Sequence, residues 1–457
     1  MSTPKTVSFY TLGCKLNYSE TSSIGRSFEN KGYAVVPFEQ GADVTVINTC
    51  SVTDFADKKN RKFIRKARAF NQNSVIVVIG CYAQLKPEEI SNIEGVDLVL
   101  GAGEKFKILN YIDNLTKQNG KASIHIGEIK EINNFEDAYS FGDRTRSFLK
   151  VQDGCNYLCT YCTIPKARGK SRSGTIEEVV NNAKKIARMG VKEIVLTGVN
   201  IGDFGNSTDI IEGNADRTRS MFIDLVKALD QVDGIERFRI SSIEPNLITD
   251  EVINFIARAK RFVPHFHIPL QSGSDTILKL MKRRYRTNLY SDKIDFIREK
   301  IPHASIGVDV IIGFPGETNE LFKETLDYIN GLDVSYLHVF TYSERQNTPA
   351  FDMEGKVPMD RRRERNTILT QLSLKKQRHF YNQFIGQTRK VLVEKSNNQS
   401  KLTGFTDNYL KVEFPVEAGL RNEIIDMKLT EINDQYHIDA QPLSKPKKSM
   451  NLLEKSE

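Results

Sequence analysis

The chain has 457 residues, 39% of them hydrophobic and 27% charged, with a formal net charge of +7 and six cysteines. This is ordinary for a soluble globular protein of two or three domains, long enough for a substantial core. A charged-then-apolar leader and an apolar run near the length of a membrane span are both missing from the sequence. The chain is therefore expected in the cytoplasm, where thiols stay reduced and are free to act as metal ligands or nucleophiles, and no membrane partner is expected. The basic balance is compatible with a polyanionic partner.

Three early segments share one form. TVSFYTLGC (6–14), DVTVINTC (43–50) and SVIVVIGC (74–81) each read as a strand ending in a cysteine. Each leads into a polar, helix-prone stretch: NYSETSSIGRSFENKG, DFADKKNRKFIRKARAF and QLKPEEISNIEG. This βαβαβα pattern predicts a parallel sheet, whose ligands gather at the carboxyl ends of the strands. Cys14, Cys50 and Cys81 all fall at that edge. A free cysteine is often simply core, but three in equivalent places favour a shared site.

From about residue 147 a second alternation begins. Strands are predicted at 147–154, 192–198, 237–243, 265–271, 305–313 and 334–343, with amphipathic helical stretches between them. Six βα units in a row predict an open (βα)6 barrel, shorter than the closed eight-unit form. After its first strand comes DGCNYLCTYC (153–162), with Cys155, Cys159 and Cys162. A closed zinc site wants four ligands, usually with histidine or carboxylate in catalytic cases. None of the seven histidines stands beside either triplet. All-thiolate ligation with an open position points to iron–sulfur.

Cys-x3-Cys-x2-Cys with Tyr161 before the third cysteine resembles the radical S-adenosylmethionine (SAM) superfamily. The resemblance implies a 4Fe–4S cluster on Cys155, Cys159 and Cys162, its open iron chelated by SAM. It also implies cofactor contacts at later strand ends: Tyr161; Thr197, Gly198 and Asn200 of LTGVN; Ser242 and Glu244 of ISSIEP; Gln271 and Ser272 of IPLQSGSD; Gly313 and Glu317 of VDVIIGFPGET. Taken singly, Gly-Pro-Gly is usually just a turn and a buried Ser or Glu often a cap. TLGCKLN, INTCSV and IGCYAQ ahead of such a core resemble the methylthiotransferases. That likeness covers nearly the whole chain and implies a second 4Fe–4S cluster on Cys14, Cys50 and Cys81 that carries the sulfur. TLGCKLNYSET, NTCSVTDFADKKNR, GCYAQ and IPKARGKSRSG resemble the branch acting on threonylcarbamoyladenosine in the tRNA anticodon loop.

The end of the chain begins with a basic amphipathic stretch (359–386). TRKVLVEKS, LTGFTDNYLKVEF, EIIDMKLTEIN and QYHIDAQ then read as strands of a small OB-like β-barrel that resembles the TRAM RNA-binding domain. Residues 382–445 hold 8 Lys or Arg against 9 Asp or Glu, so this barrel is not itself a basic platform. Positive charge concentrates at DKKNRKFIRKAR (57–68), KARGKSR (166–172) and RRRER (361–365). Singly each run is a solvated face; together they suggest an RNA path. The expected domains are 1–120, 141–371 and 382–445, with a disordered tail at 446–457.

Carbon 2 of adenine carries an unactivated hydrogen that no side-chain base removes at neutral pH, so a cofactor must carry that step. The resemblance implies that one SAM supplies the methyl group and another, cleaved reductively, the radical that takes the hydrogen. It also implies an external electron donor and a sulfur source. Arg168, Lys170, Arg283 and Arg284 are the candidates for holding the anionic substrate; Arg168 is favoured because a guanidinium holds a carboxylate bidentately. Three alternatives stay open: the same chemistry on isopentenyladenosine in tRNA, methylthiolation of a ribosomal protein, and a non-enzymatic iron–sulfur RNA-binding sensor.

Overall fold

The computed structural model describes residues 4–51, 53–113, 122–142, 144–205, 222–394, 400–416 and 420–443; the expected tail at 446–457 lies outside them. Strand Val75–Gly80 is buried over almost its whole length and Val44–Thr49 over all of it. β-branched runs like these fit a parallel sheet covered on both faces. Six parallel strands lie in the order Ala34–Val35, Thr6–Thr11, Val44–Thr49, Val75–Gly80, Leu98–Leu100, Ser123–His125. Alternation splits their side chains between two cores. Ile76 and Val78 pack with Ile64 under helix Asp54–Phe70, while Val77 and Ile79 pack with Ile24 and Phe28 of helix Lys15–Asn30. QLKPEEISNIEG does not form one helix. It breaks into Cys81–Leu85 and Pro87–Ser91, because Pro87 has no N–H to continue the ladder and Lys86 is pushed to φ −142°, ψ 55°.

The middle of the chain forms the open barrel. Strands Ser147–Lys150, Glu193–Thr197 and Arg237–Ile240 pair in parallel, as do His265–His267, Ser305–Ile312 and Tyr336–Thr341. Single bridges at Phe238–Phe262 and Ser242–His267 join the two halves into one arc. A short strand, Ala138–Tyr139, adds antiparallel to the first edge. One large apolar core fills the space between the arc and its outer helices.

Helix Met359–Asn382 then crosses from core to tail: Leu369 belongs to the barrel's core, Phe380 and Tyr381 to the next one. Five strands close a small barrel in the order Thr388–Glu394, Lys401–Thr406, Lys411–Pro415, Ile438–Pro442, Ile424–Ile432. LTGFTDNYLKVEF supplies two of these strands, because Tyr409 at φ +67° turns the chain between them. No helix among the described residues is long and apolar enough to cross a membrane.

The seam between the two barrels is ionic. Arg237 donates to the carbonyls of Phe405 (3.0 Å) and Lys390 (2.8 Å), and Arg239 to that of Asp407 (3.2 Å). Glu193, wholly buried, anchors Arg239 at 2.8 Å, with Arg237 at 3.7 Å and Arg146 at 3.8 Å. Glu193→Gln leaves these cations without their shared acid and is predicted to cost about 3 kcal/mol, read as a lower denaturant midpoint and faster proteolysis between the barrels. Glu251→Gln, in an exposed pair with Lys227, should change stability by less than about 0.5 kcal/mol.

Candidate functional site

The parallel register sets Thr11 opposite Asn48 and Thr49 opposite Gly80, so three neighbouring strands end at one edge. One to three residues later come Cys14, Cys50 and Cys81. Two glycines let the chain turn there. Gly13 has φ +107°, and a Cβ on it would stand 2.8 Å from Cys50 Cβ and 3.2 Å from its Sγ. Gly80 has φ +98°, and a Cβ would stand 2.4 Å from the Thr49 carbonyl. Asn17 ties the edge together, donating to the carbonyls of Leu12 (2.8 Å) and Thr49 (3.0 Å), with its Oδ1 3.7 Å from Cys14 Sγ.

The second triplet lies on a loop that folds back on itself. At Gly154 (φ +68°) a Cβ would stand 2.0 Å from the Lys170 carbonyl. Cys155 N donates to Gly169 O (3.0 Å), and Cys162 N to Cys159 O (3.1 Å). Arg283 donates to Cys159 Sγ (3.2 Å) and to the Tyr161 hydroxyl (3.4 Å), and it pairs with Glu244. Burial pushes the Cys155 and Cys162 thiols up to about 12 and raises those of Cys159 and Cys81. Such thiols keep their protons at neutral pH until a metal replaces them. Among the described residues, the one His/Cys/Asp/Glu group whose ligand atoms all lie within 4.8 Å is His267, Asp309 and His338. Three thiolates at each site suit a cluster, in which each takes its own iron, better than a single shared ion.

A cavity of about 220 Å³ adjoins the second triplet, lined among others by Tyr161, Cys162, Gln271, Asp309, Phe340 and Thr53. Buried polar atoms without hydrogen-bond partners include Thr197 Oγ1, both amide atoms of Asn200 and Gln271 Oε1. Such orphans fit a polar ligand. Gln271 also has φ +69°, rare for a residue with a side chain and a mark of functional sites. At Gly198 a Cβ would meet Gln152 Oε1 at 3.0 Å. Ser242 is half-buried beside the His267 strand.

Several of the sequence candidates have partners of their own in the fold. Ser272 is fully buried, bonded to Thr325 Oγ1 (3.2 Å) and Ser274 N (3.2 Å), so it locks a turn. Glu317 accepts from Gly313 N (2.9 Å) and Arg365 (2.6 Å), so it holds the Gly-Pro-Gly turn, while a Cβ on Gly313 itself would strike Arg362 at 2.4 Å. Arg168 is 2% exposed, with its guanidinium bonded to Glu20 (3.0 Å), Asp153 (2.9 Å) and Asn17 (2.6 Å), so its donors are taken within the fold. The three basic runs are not exposed throughout. Lys58, Lys62, Arg65 and Lys66 line an exposed groove, but Arg168, Arg362 and Arg365 are buried structural partners. Of the other candidate cations, Arg283 sits against Cys159, Lys170 is exposed beyond the loop, and Arg284 stacks on Tyr157 at 4.0 Å on the loop's rim.

Arg168 belongs to a buried ion network that the sequence hides. Glu20 also meets Lys105 (2.7 Å) and Lys150 (3.2 Å), and Asp153 meets Lys150 (2.9 Å) and Arg172 (3.1 Å). Glu20 and Lys105 come from the N-terminal domain; Lys150, Asp153 and Arg168 flank the second cysteine loop. A second bridge joins Arg345, after the last barrel strand, to Ser51 (2.6 Å) and Asp57 (2.9 Å), beside Cys50. Partners 130 to 294 positions apart leave no local signal.

Comparisons with known proteins agree with this geometry. A family model described as "Radical SAM superfamily" matches residues 149–329, and one described as "Uncharacterized protein family UPF0004" matches 6–101. The chain is 42% identical to the threonylcarbamoyladenosine tRNA methylthiotransferase MtaB of Bacillus subtilis, over 94% of this chain and 95% of that protein. It is 39% identical to the protein of the same name from Aquifex aeolicus, over 89% and 96%. It is 32% identical to a tRNA-2-methylthio-N(6)-dimethylallyladenosine synthase of Clostridium tetani, over 92% of each. Among solved structures, the radical SAM methyltransferase TsrM of Kitasatospora setae shares the fold, with a TM-score of 0.54 at 15% identity, covering 76% of this chain and 77% of that one.

Burial alone raises the Glu20 and Asp153 pKa values, but Arg168, Lys105 and Lys150 more than offset it and hold both carboxyls well below the usual range. A depressed pKa gives stability that is present above the unfolded value, near 4, and lost as pH falls below it. Arg168→Met is predicted to cost about 3–5 kcal/mol at pH 7. Its unfolding free energy should then decline less steeply than wild type between pH 5 and pH 2, as measured by denaturant titration across that range.

Proposed function

Because this chain belongs to the radical SAM tRNA methylthiotransferases, on the threonylcarbamoyladenosine branch, we infer that it attaches a methylthio group to carbon 2 of threonylcarbamoyladenosine at position 37 of tRNA. The observation that carries this reading is the cavity bordered on one side by Cys162 and on another by Thr53, three residues beyond Cys50. One cavity thus touches both the second cysteine loop and the chain just beyond Cys50, as a reaction needing two centres on one base requires. When bound, the two 4Fe–4S clusters and SAM supply the electron, the radical that removes hydrogen, the methyl group and the sulfur.

The chain's own residues hold and shield these groups. Cys155, Cys159 and Cys162 would bind one cluster and Cys14, Cys50 and Cys81 the other. Arg283 offers its N–H groups to Cys159 and Tyr161 and so steadies the cysteine loop. The orphaned atoms of Thr197, Asn200 and Gln271 would meet the polar groups of SAM. A line of rings leads from the C-terminal barrel toward the cavity: Phe405 stacks on Tyr409 at 4.8 Å, Tyr409 on Tyr336 at 6.3 Å, Tyr336 approaches His338 at 5.2 Å and His338 approaches Phe340 at 6.5 Å. His338 and Phe340 are exposed, and such rings stack unpaired bases. Extruding a base from a single-stranded anticodon loop is cheap, and the exposed basic face of helix Asp54–Phe70 would hold the backbone. On this reading the reaction draws on an electron donor and a sulfur source from outside the chain, and we infer a cytoplasmic location, where tRNA is found.

The two triplets should separate in function. Cys155→Ala is expected to abolish reductive cleavage of SAM to 5′-deoxyadenosine. Cys50→Ala should keep that cleavage but yield no methylthiolated nucleoside. Iron per chain should fall by about half in the Cys14/Cys50/Cys81 triple Ala variant, because each cluster has its own thiolates. Full iron content in that variant would overturn the two-cluster assignment.

A further inference from the structure

Three neighbouring strands of the open barrel bring together a cluster of side chains that the reaction above does not use. His267 ends strand His265–His267, Asp309 lies in Ser305–Ile312 and His338 in Tyr336–Thr341. The parallel register sets Asp309 directly opposite His338, and His267 opposite Gly307. Gly307 and Asp309 share a face of their strand, because side chains alternate along it. All three donors therefore stand on paired strands, which hold ligands in place better than loops do.

Their spacing is that of a coordination sphere. His267 Nε2 stands 2.8 Å from Asp309 Oδ1, and His338 Nδ1 stands 3.3 Å from the same oxygen. Donors bonded to one zinc-sized ion at about 2.0–2.2 Å lie about 2.8–3.6 Å apart at octahedral or tetrahedral angles. All three donor atoms fall within 4.8 Å of one another. A carboxylate has two oxygens and about four lone-pair sites, so hydrogen bonding alone does not require both rings to meet one atom. Imidazole can offer either of its nitrogens to a metal.

The surroundings point the same way. Asp309 lines the cavity of about 220 Å³ beside Cys162, and so does Gln271, whose Oε1 is buried without a hydrogen-bond partner. The Gln271 N–H donates to the Asp309 carbonyl (2.8 Å), which ties this orphaned residue to the same strand. An unpartnered oxygen on that wall fits a cation or a polar group that the cation holds. The His338 side chain is 53% accessible, so an ion has a way in.

We propose that His267, Asp309 and His338 form a binding site for a divalent transition-metal ion of the zinc class, made of residues outside both cysteine triplets. Two imidazole nitrogens and one carboxylate oxygen suit such an ion better than magnesium or calcium, which prefer oxygen throughout. Three protein donors leave a position open for water or for an oxygen of a molecule in the cavity. The site does not depend on which base the enzyme modifies.

The test is metal analysis of the reconstituted holoenzyme. The protein is freed of loosely held ions with a chelator, desalted, and dialysed against a buffer that holds free Zn²⁺ at about 1 µM. Zinc and iron per chain are then measured together. Wild type should take up about one zinc per chain, with its iron and the visible absorbance of its clusters unchanged. Asp309→Asn and His338→Phe should bind zinc at least about 10-fold more weakly while keeping the iron content of wild type, which reports that they are folded. X-ray absorption at the zinc edge of wild type should show imidazole nitrogen and oxygen neighbours and no sulfur, a result that needs no variant. A wild type that takes up no zinc overturns the proposal. So does uptake matched by loss of iron or by sulfur neighbours, since the ion has then entered a cysteine site. Unchanged zinc affinity in either variant overturns it as well.

Discussion

Two carboxylates and three cations meet almost wholly out of solvent between the first two domains, and the placing of both cysteine triplets depends on them. Glu20 and Asp153 are the acids; Lys105, Lys150 and Arg168 are the bases, and none is more than a few per cent exposed. A buried network of this kind is weak evidence for stability, since apolar residues of equal volume often do as well. What it does is fix geometry, because each charge must find its partner or be stranded. Arg168 lies six residues beyond Cys162, and Asn17, which accepts from it, lies three beyond Cys14. A shift of either domain against the other would break hydrogen bonds at both triplets together. With Arg172 on Asp153 the network holds two cations more than it holds acids, an excess that suits thiolates bound to iron.

The same logic recurs at the other two seams. Arg345 ties the last barrel strand's loop to Ser51 and Asp57 beside Cys50, and Glu193 gathers the arginines that grip the backbone of the C-terminal barrel. Three domains thus meet through buried guanidinium groups, whose rigid forks hold several acceptors at once. The cavity beside the second cysteine loop has Thr53 in its wall, two residues beyond Ser51 of the Arg345 bridge. Its walls carry Cys162, Thr53, Gln271 and Asp309, while the ring series from Phe405 to Phe340 approaches from the tail.

Much of this was legible in the sequence, for local reasons. Strand-then-cysteine at 14, 50 and 81 placed that triplet at one sheet edge, because parallel strands must end together. Six alternations of period 2 and period 3.6 gave the open barrel. The hidden part is long-range. Nothing in NYSET marks Glu20 as fully buried, since the same residues read as a solvated helix face. KARGKSR looked like an RNA-facing run, yet Arg168 and Arg172 bind Asp153. Ser272 and Glu317 lie in motifs that resemble cofactor contacts, but each has a nearer acceptor or donor in its own turn.

The central claim is that the two cysteine edges serve one reaction on one modified base. Nucleoside mass spectrometry of tRNA from cells with and without this gene tests it most directly. The account predicts that 2-methylthio-N6-threonylcarbamoyladenosine disappears in the deletion strain, that N6-threonylcarbamoyladenosine accumulates in its place, and that the gene restores the methylthio form. Unchanged levels of the methylthiolated nucleoside in the deletion strain would contradict it.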